Sequence, residues 1–180
     1  MGQRRTEVLQ AAIELLDEAG LDALTMRLLA SRLGVRASAL YRHYPSKQAL
    51  LDAMVAALVG PAGSLPIDAP WDELLRGAAS GMREVMLAHR DGARLISGFH
   101  HPGDEAIAVF EHLVTALAGA GVPADRATVA VDTALAYANG YTIEEQARKT
   151  GWPREKRDQA FEDGLDLIIA GVRTGSPPMQ

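Results

Sequence analysis

Leu24-Thr25-Met26-Arg27-Leu28-Leu29-Ala30-Ser31-Arg32-Leu33-Gly34-Val35-Arg36-Ala37-Ser38-Ala39-Leu40-Tyr41-Arg42-His43-Tyr44-Pro45-Ser46-Lys47 is the most informative stretch of this 180-residue chain. Thr25 fits an N-cap, with a hydroxyl able to accept from an early backbone N–H, and it opens a short helix from Met26 to Arg32. Leu33-Gly34-Val35 breaks that helix, because glycine takes the left-handed conformation of a tight interhelical turn. Helical spacing resumes from Arg36 to Tyr44 until Pro45 ends it, and Ser46 caps the next helix. Leu24, Leu29, Leu33, Val35 and Leu40 supply a small core. Arg27, Arg36, Ser38, Tyr41, Arg42 and His43 are left for solvent or a partner. Short helix pairs are common in all-α proteins, so pattern alone leaves both a nucleic-acid reader and a plain hairpin open.

Upstream, Val8, Leu9, Ala12, Ile13, Leu16 and Ala19 line one face of a first helix, with Glu7, Glu14, Asp17 and Glu18 opposite and Gly20 as its stop. Downstream, Lys47 to Val59 is apolar at nearly every position, the pattern of a connecting helix contacted on two sides. Gly60 to Pro70 is a breaker-rich loop. Trp71 to His89, Ala93 to Ser97, Asp104 to Ala120, Ala124 to Lys149 and Arg154 to Arg173 are helical by period, with Pro123 and Pro153 at helix starts. No alternating stretch is bounded by hairpin turns. The fold class is therefore all-α with about nine helices: an N-terminal three-helix unit, residues 1–46, joined through the connecting helix to a larger helical body, residues 47–180.

Charge divides along the same line. Residues 1–47 hold seven basic and five acidic residues, and residues 48–180 hold eleven and eighteen, so the ends carry +2 and −7. From Ala23 to Leu51 there is no carboxylate, while Arg27, Arg32, Arg36, Arg42 and Lys47 all fall inside. A positive patch on an acidic molecule fits a polyanion at one end only, although chance clustering on a solvated helix gives the same count. The absence of cysteine excludes disulfides, thiolate metal sites and cysteine nucleophiles. No apolar run reaches the ~18 residues of a membrane span, which predicts a cytoplasmic protein without membrane contact.

Leu24 to Val35, followed by Ala39-Leu40-Tyr41-Arg42-His43-Tyr44-Pro45-Ser46-Lys47-Gln48-Ala49-Leu50-Leu51, resembles the N-terminal domain of TetR-type bacterial transcriptional regulators. Trp71, His89-Arg90-Asp91-Gly92-Ala93-Arg94 and the Gly140 to Gln146 run are similar to the tetracycline-repressor subgroup. The resemblance implies a helix-turn-helix that enters the major groove of double-stranded operator DNA. It implies that Thr25, Met26, Arg27, Arg36, Ala37, Ser38, Ala39, Tyr41, Arg42, His43 and Lys47 lie at or near that DNA. Arginines suit guanine or phosphate, and Tyr41 and Lys47 suit phosphate oxygens. Packing against the first or fourth helix is the other place for Tyr41 and His43.

One such head grips little DNA, so a homodimer is expected, with two heads about 34 Å apart. Phe161, Leu165, Ile168 and Val172 form an apolar stripe on the last helix, and Ala127, Ala130, Ala134 and Ala138 let a neighbour approach the long helix before it. These stripes suit a dimer interface or the subunit's own core. Tyr137, Tyr141 and Glu144, with Met82, Met86, Ile96, Phe99, His100, Phe110 and Leu113, are candidates for a pocket taking a small, largely apolar inducer, and most of them suit a core equally well. Where the resembled repressor holds its magnesium-bound drug with histidine, asparagine and phenylalanine, this chain has Ile96, Ala78 and Met82. No metal and no cofactor is therefore expected. The implied function is a homodimeric repressor released from a palindromic operator by a ligand; the alternative is a ligand-binding or adaptor protein of the same fold without operator binding. A small enzyme using Glu144, Glu145, Tyr137 or His112 finds no support in any nucleophile elbow, phosphate loop or metal motif.

Overall fold

A computed structural model describes residues 3–60, 66, 68–148 and 151–174. They form α1 (Gln3–Ala19), α2 (Met26–Arg32), α3 (Ala37–Tyr41), α4 (Lys47–Val59), α5 (Trp71–Ala88), α6 (Gly92–Ser97), α7 (Asp104–Gly119), α8 (Ala124–Arg148) and α9 (Arg154–Thr174). No described residue is in a strand. Most of the anticipated Gly60 to Pro70 loop, and Lys149 at the anticipated end of α8, lie outside the described residues.

Local chemistry builds the helix-turn-helix. Thr25 is extended at φ −127° and ψ 152°, and its hydroxyl accepts from the Leu28 N–H at 3.1 Å. Gly34 turns the chain at φ +64°. The second helix of the pair is shorter than its periodicity suggests, ending at Tyr41 instead of Tyr44. His43 and Tyr44 both donate to the Leu40 carbonyl at 2.9 Å in a closing turn, because Tyr44 precedes Pro45 and is steered away from helical backbone. Tyr44 is buried: its hydroxyl donates to the Arg5 carbonyl at 3.2 Å, and the Arg5 guanidinium lies 5.1 Å from its ring centroid.

Two apolar cores result. The first joins α1 to α4 with the end of α5 and α6, through Leu16, Leu24, Leu29, Leu40, Leu50 and Met54 packed with Met86, Leu95 and Ile96. The second binds α5, α7, α8 and α9 through Leu74, Leu75, Leu113, Leu117, Val131 and Ile169. It also holds residues anticipated at a dimer surface. Ala127, Ala134, Ala138, Phe161 and Leu165 are each at most 1% exposed, and Ile168 and Val172 are half-buried at the edge of the same core. A residue with no accessible surface in the subunit offers none to a partner, so the fully buried five are core residues. The faces that α8 and α9 turn outward carry Val129 and Leu167, 64% and 77% exposed, with Thr133, Ala136, Ala170 and Gly171 also exposed.

The turn into α6 is specified residue by residue. Asp91 is left-handed at φ 56°, which Asp tolerates better than most side chains. A β-carbon on Gly92 would stand 2.3 Å from the Met86 carbonyl oxygen. Gln146 of α8 completes the turn: its amide NH2 donates to Met86 O at 2.9 Å and His89 O at 3.0 Å, and its oxygen accepts from the Ala93 N–H at 3.1 Å. One half-buried amide thus supplies partners for the orphan groups of two helix ends.

Candidate functional site

The head presents Arg27, Arg36, Ser38, Arg42 and Lys47 outward, and Tyr41 is 49% exposed. Among the described residues Arg27, Arg36 and Arg42 have no ion-pair or hydrogen-bond partner, whereas Arg32 is fully engaged. Its guanidinium grips Glu18 of α1 with both terminal nitrogens, one at 2.7 Å, and reaches Glu14 at 3.6 Å. The Arg32 hydrogen bond holds the Glu18 carboxyl below its ordinary value. The free positive charge on α2 and at the two ends of α3 is therefore Arg27, Arg36 and Arg42.

Not every residue anticipated at the DNA faces outward. Met26 is 7% exposed and belongs to the head's core. With Thr25 as cap, position 26 shares a face with Leu29 and Ala30, three and four residues on, so its side chain packs inward. Ala37 and Ala39 are half-buried, Ala37 against the same core, and His43 is half-buried. Thr25 is exposed, and its hydroxyl proton remains available beside the capping bond.

Carboxylates at the end of α1 fasten the head to the turn between α5 and α6. His89 Nδ1 lies 3.0 Å from Asp17 Oδ2, and the Arg90 N–H donates to Asp17 Oδ1 at 3.1 Å. Arg90 Nη1 donates to Glu18 O at 2.9 Å, the Leu21 N–H to Asp91 Oδ2 at 2.9 Å, and Arg94 to both oxygens of Asp22 at 2.8 and 3.2 Å. Sequence reasoning missed this clasp. Its one legible signal was Asp17 and Glu18 in the last turn of α1, where negative charge opposes the helix dipole and calls for a compensating partner.

A second tie runs from α4. Asp52 accepts from the His100 N–H at 2.9 Å and from the Gln48 amide at 2.8 Å, with His101 Nδ1 at 3.3 Å, and Gln48 also donates to Gly98 O at 2.9 Å. Burial acts to raise the Asp52 pKa, but the His100 N–H, Gln48 and His101 outweigh it and leave the carboxyl below its ordinary value. His100, anticipated as a ligand contact, instead contributes its backbone to this tie, and its exposed side chain is not among those lining the cavity.

That cavity, of about 520 Å³, opens among α4, α5, α6, α7 and α8. Val55, Ala56 and Val59 of α4 form one wall, and Ala78 and Met82 of α5, Ile96 of α6 and Phe99 form another. Phe110 and Glu105 of α7, with Asp132, Leu135 and Asn139 of α8, close it. Of the residues anticipated in a pocket, Met82, Ile96, Phe99 and Phe110 line it. Met86 and Leu113 are fully buried in the two cores. Tyr137 and Tyr141 face α9, donating to Phe161 O at 3.1 Å and Arg157 O at 2.9 Å, with the Phe161 ring stacked on Tyr137 at 5.4 Å. Residues two apart on a helix point about 200° from one another, so a face containing Leu135 and Asn139 cannot contain Tyr137 and Tyr141. Glu144 is exposed and pairs with Arg148 at 3.2 Å. The α4 wall was legible only as a helix apolar all round.

Behind the tyrosines, Arg83 is 3% exposed, bonded to Glu145 at 3.0 and 3.1 Å and to Asp158 at 2.7 Å, with Phe161 4.8 Å under its guanidinium. Arg157 Nε donates to Glu145 Oε1 at 2.6 Å. Glu145 is thus held by two arginines as a brace between α5, α8 and α9. Ala78, Met82 and Ile96 offer the cavity only methyl, thioether and alkyl surface, which does not fit a chelated magnesium. Among the described residues no three His, Asp or Glu side chains converge as metal ligands.

Residues 8–54, from α1 into α4, match the family model of bacterial regulatory proteins of the tetR family. The chain belongs to that family. Residues 65–158 match the tetracyclin repressor-like C-terminal domain. The tetracycline repressor protein class A from transposon 1721 of Escherichia coli is 41% identical over 191 aligned residues, covering 92% of this chain and 88% of that one. A TetR variant from Acinetobacter baumannii AYE, solved in complex with minocycline, is 34% identical with a TM-score of 0.87 and coverage of 96% and 97%. BioQ, solved with its double-stranded DNA operator, is 32% identical with a TM-score of 0.80 and coverage of 93% and 96%. This regulator shares their all-helical plan of an N-terminal helix-turn-helix and a C-terminal helical domain. None of its described helices is long and apolar enough to cross a membrane.

Proposed function

We propose that this tetR-family regulator is a homodimeric repressor that leaves a palindromic operator when a small, largely apolar ligand enters the cavity. Residues 1–46 read the DNA, and residues 47–180 bind ligand and pair the subunits. One observation carries the reading: Val55, Met82 and Ile96 line the cavity and also pack in the core that holds the head. A ligand that shifts α4 and α6 therefore shifts the support of α1 to α3, and differential affinity for two placements of the head changes their populations. In the relatives, one solved structure contains minocycline and another a DNA operator, which supports both halves of the reading. Arg27, Arg36, Arg42, Ser38, Tyr41 and Lys47 would meet phosphates and base edges, with Thr25 at the groove's rim. Pairing would use the outward faces of α8 and α9 around Val129, Thr133 and Leu167.

Purified protein titrated onto DNA from upstream of its own gene tests this. Binding should weaken steeply as salt rises. Arg42→Ala and Arg27→Ala should each cost about 1–3 kcal/mol of operator affinity if they touch bases, or reduce the salt slope by about one if they touch phosphates. Salt-independent binding, or indifference to both substitutions, would indicate an adaptor instead.

A further inference from the structure

The cavity's wall is apolar except at three residues, two of them acidic and one a neutral amide. Glu105 and Asp132 bring carboxylates and Asn139 an amide, and among the described residues no Lys, Arg or His lines the space. Neither carboxylate has an ion-pair partner among the described residues. Glu105 lies at the rim where the chain crosses α4: a β-carbon built on Gly103 would stand 2.9 Å from Ala56 Cβ and 3.5 Å from Glu105 Oε2. Two aromatic rings, Phe99 and Phe110, complete the lining, and the face of such a ring is electron-rich. The surrounding body, residues 48–180, carries −7.

We infer that the ligand is a lipophilic cation, such as a quaternary ammonium or phosphonium or a protonated amine flanked by aromatic or alkyl groups. An anion of the same shape would meet two carboxylates and no cationic side chain. A neutral apolar compound would leave both carboxylates idle. A cation surrounded by hydrocarbon gains from all the features at once: apolar wall, aromatic faces, unpaired negative charge at the opening, and a body whose field concentrates positive solutes. This inference rests on the regulatory reading above only in placing the ligand in that cavity.

Tetraphenylphosphonium and tetraphenylborate have nearly the same shape and opposite charge, so the pair separates charge from lipophilicity. Isothermal titration calorimetry on the full-length protein should show saturable binding of the phosphonium and far weaker binding of the borate. Glu105→Gln and Asp132→Asn should each weaken phosphonium binding about five-fold, the scale of a partly exposed charge contact. Asp104→Asn, which neutralises the neighbouring residue of the same helical turn outside the cavity, should leave it unchanged, with melting curves confirming that each variant folds. Equal binding of the two ions, no saturable phosphonium binding, or phosphonium affinity untouched by both cavity substitutions would overturn the inference. Operator binding of the unliganded protein is measured alongside. If it persists while the phosphonium fails, the cation is wrong and the regulator stands; if it is absent while the phosphonium binds, the DNA reading fails and the cation stands.

Discussion

Arg32 and Arg42 stand ten positions apart in the same carboxylate-free stretch, yet one is paired with Glu18 and the other is free. No local rule separates them, because the deciding carboxylate comes from another helix, fourteen residues away. Met26 is the converse, an inward-facing residue at a position the family resemblance places near DNA. Glycine gives a sharper test at this scale. An added methyl at Gly92 would meet backbone, 2.3 Å from an oxygen that also accepts from Gln146, whereas at Gly164 it would meet the Tyr137 hydroxyl at 2.0 Å and the ring carbon bearing it at 2.5 Å. Tyr137 can swing if it gives up its bond to Phe161 O; the Met86 carbonyl cannot move without shifting the end of α5. Gly92→Ala should therefore destabilise by about 3 kcal/mol and Gly164→Ala by about 1–2 kcal/mol, the range of overpacked cores, read as falls in thermal midpoint.

Among the elements, α4 does the most and was the least legible. Its composition announced contact on two sides, and it packs on the head with Leu50 and Met54 while Val55 and Val59 face the cavity. Nothing in its sequence announced that Gln48 and Asp52 would hold the turn carrying Phe99. The Asp52 tie has a pH signature. Its pKa is lowered on folding, so its stabilisation is present above the unfolded carboxylate value of about 3.9 and is lost as pH falls through the lower folded value. Asp52→Asn should lower the urea midpoint at pH 7, and the difference from the unsubstituted protein should shrink below about pH 4. A midpoint difference constant down to pH 2 would remove Asp52 from this role. The faces of α8 show the limit of periodicity: it fixed the helix but not its rotation. Both the Tyr137 face and the Leu135 face carry apolar bodies with polar tips, and only packing against α5, α7 and α9 chose between them.

For the whole molecule, the order of helices and the division into head and body were legible because glycine and proline punctuate nearly every junction. The proposed pairing surface was not, since a stripe of alanines or large apolar residues serves an internal core as well as a partner. Burial in the subunit moves the proposed interface to the opposite faces of α8 and α9. Leu167→Glu combined with Val129→Glu should reduce the mass in sedimentation from twice 19.2 kDa to a single chain and should abolish operator binding, while Phe161→Ala should unfold the body instead. Ile96, 4% exposed, belongs at once to the head's interior and to the cavity wall. If the effector is taken in that cavity as proposed, effector preference and the rigidity of the DNA grip are not separately heritable in this chain. On that proposal, a lineage that reshaped the wall at that position to admit a new compound would also alter how firmly its repressor holds the promoter, and would need a compensating change elsewhere before the gene was silent again.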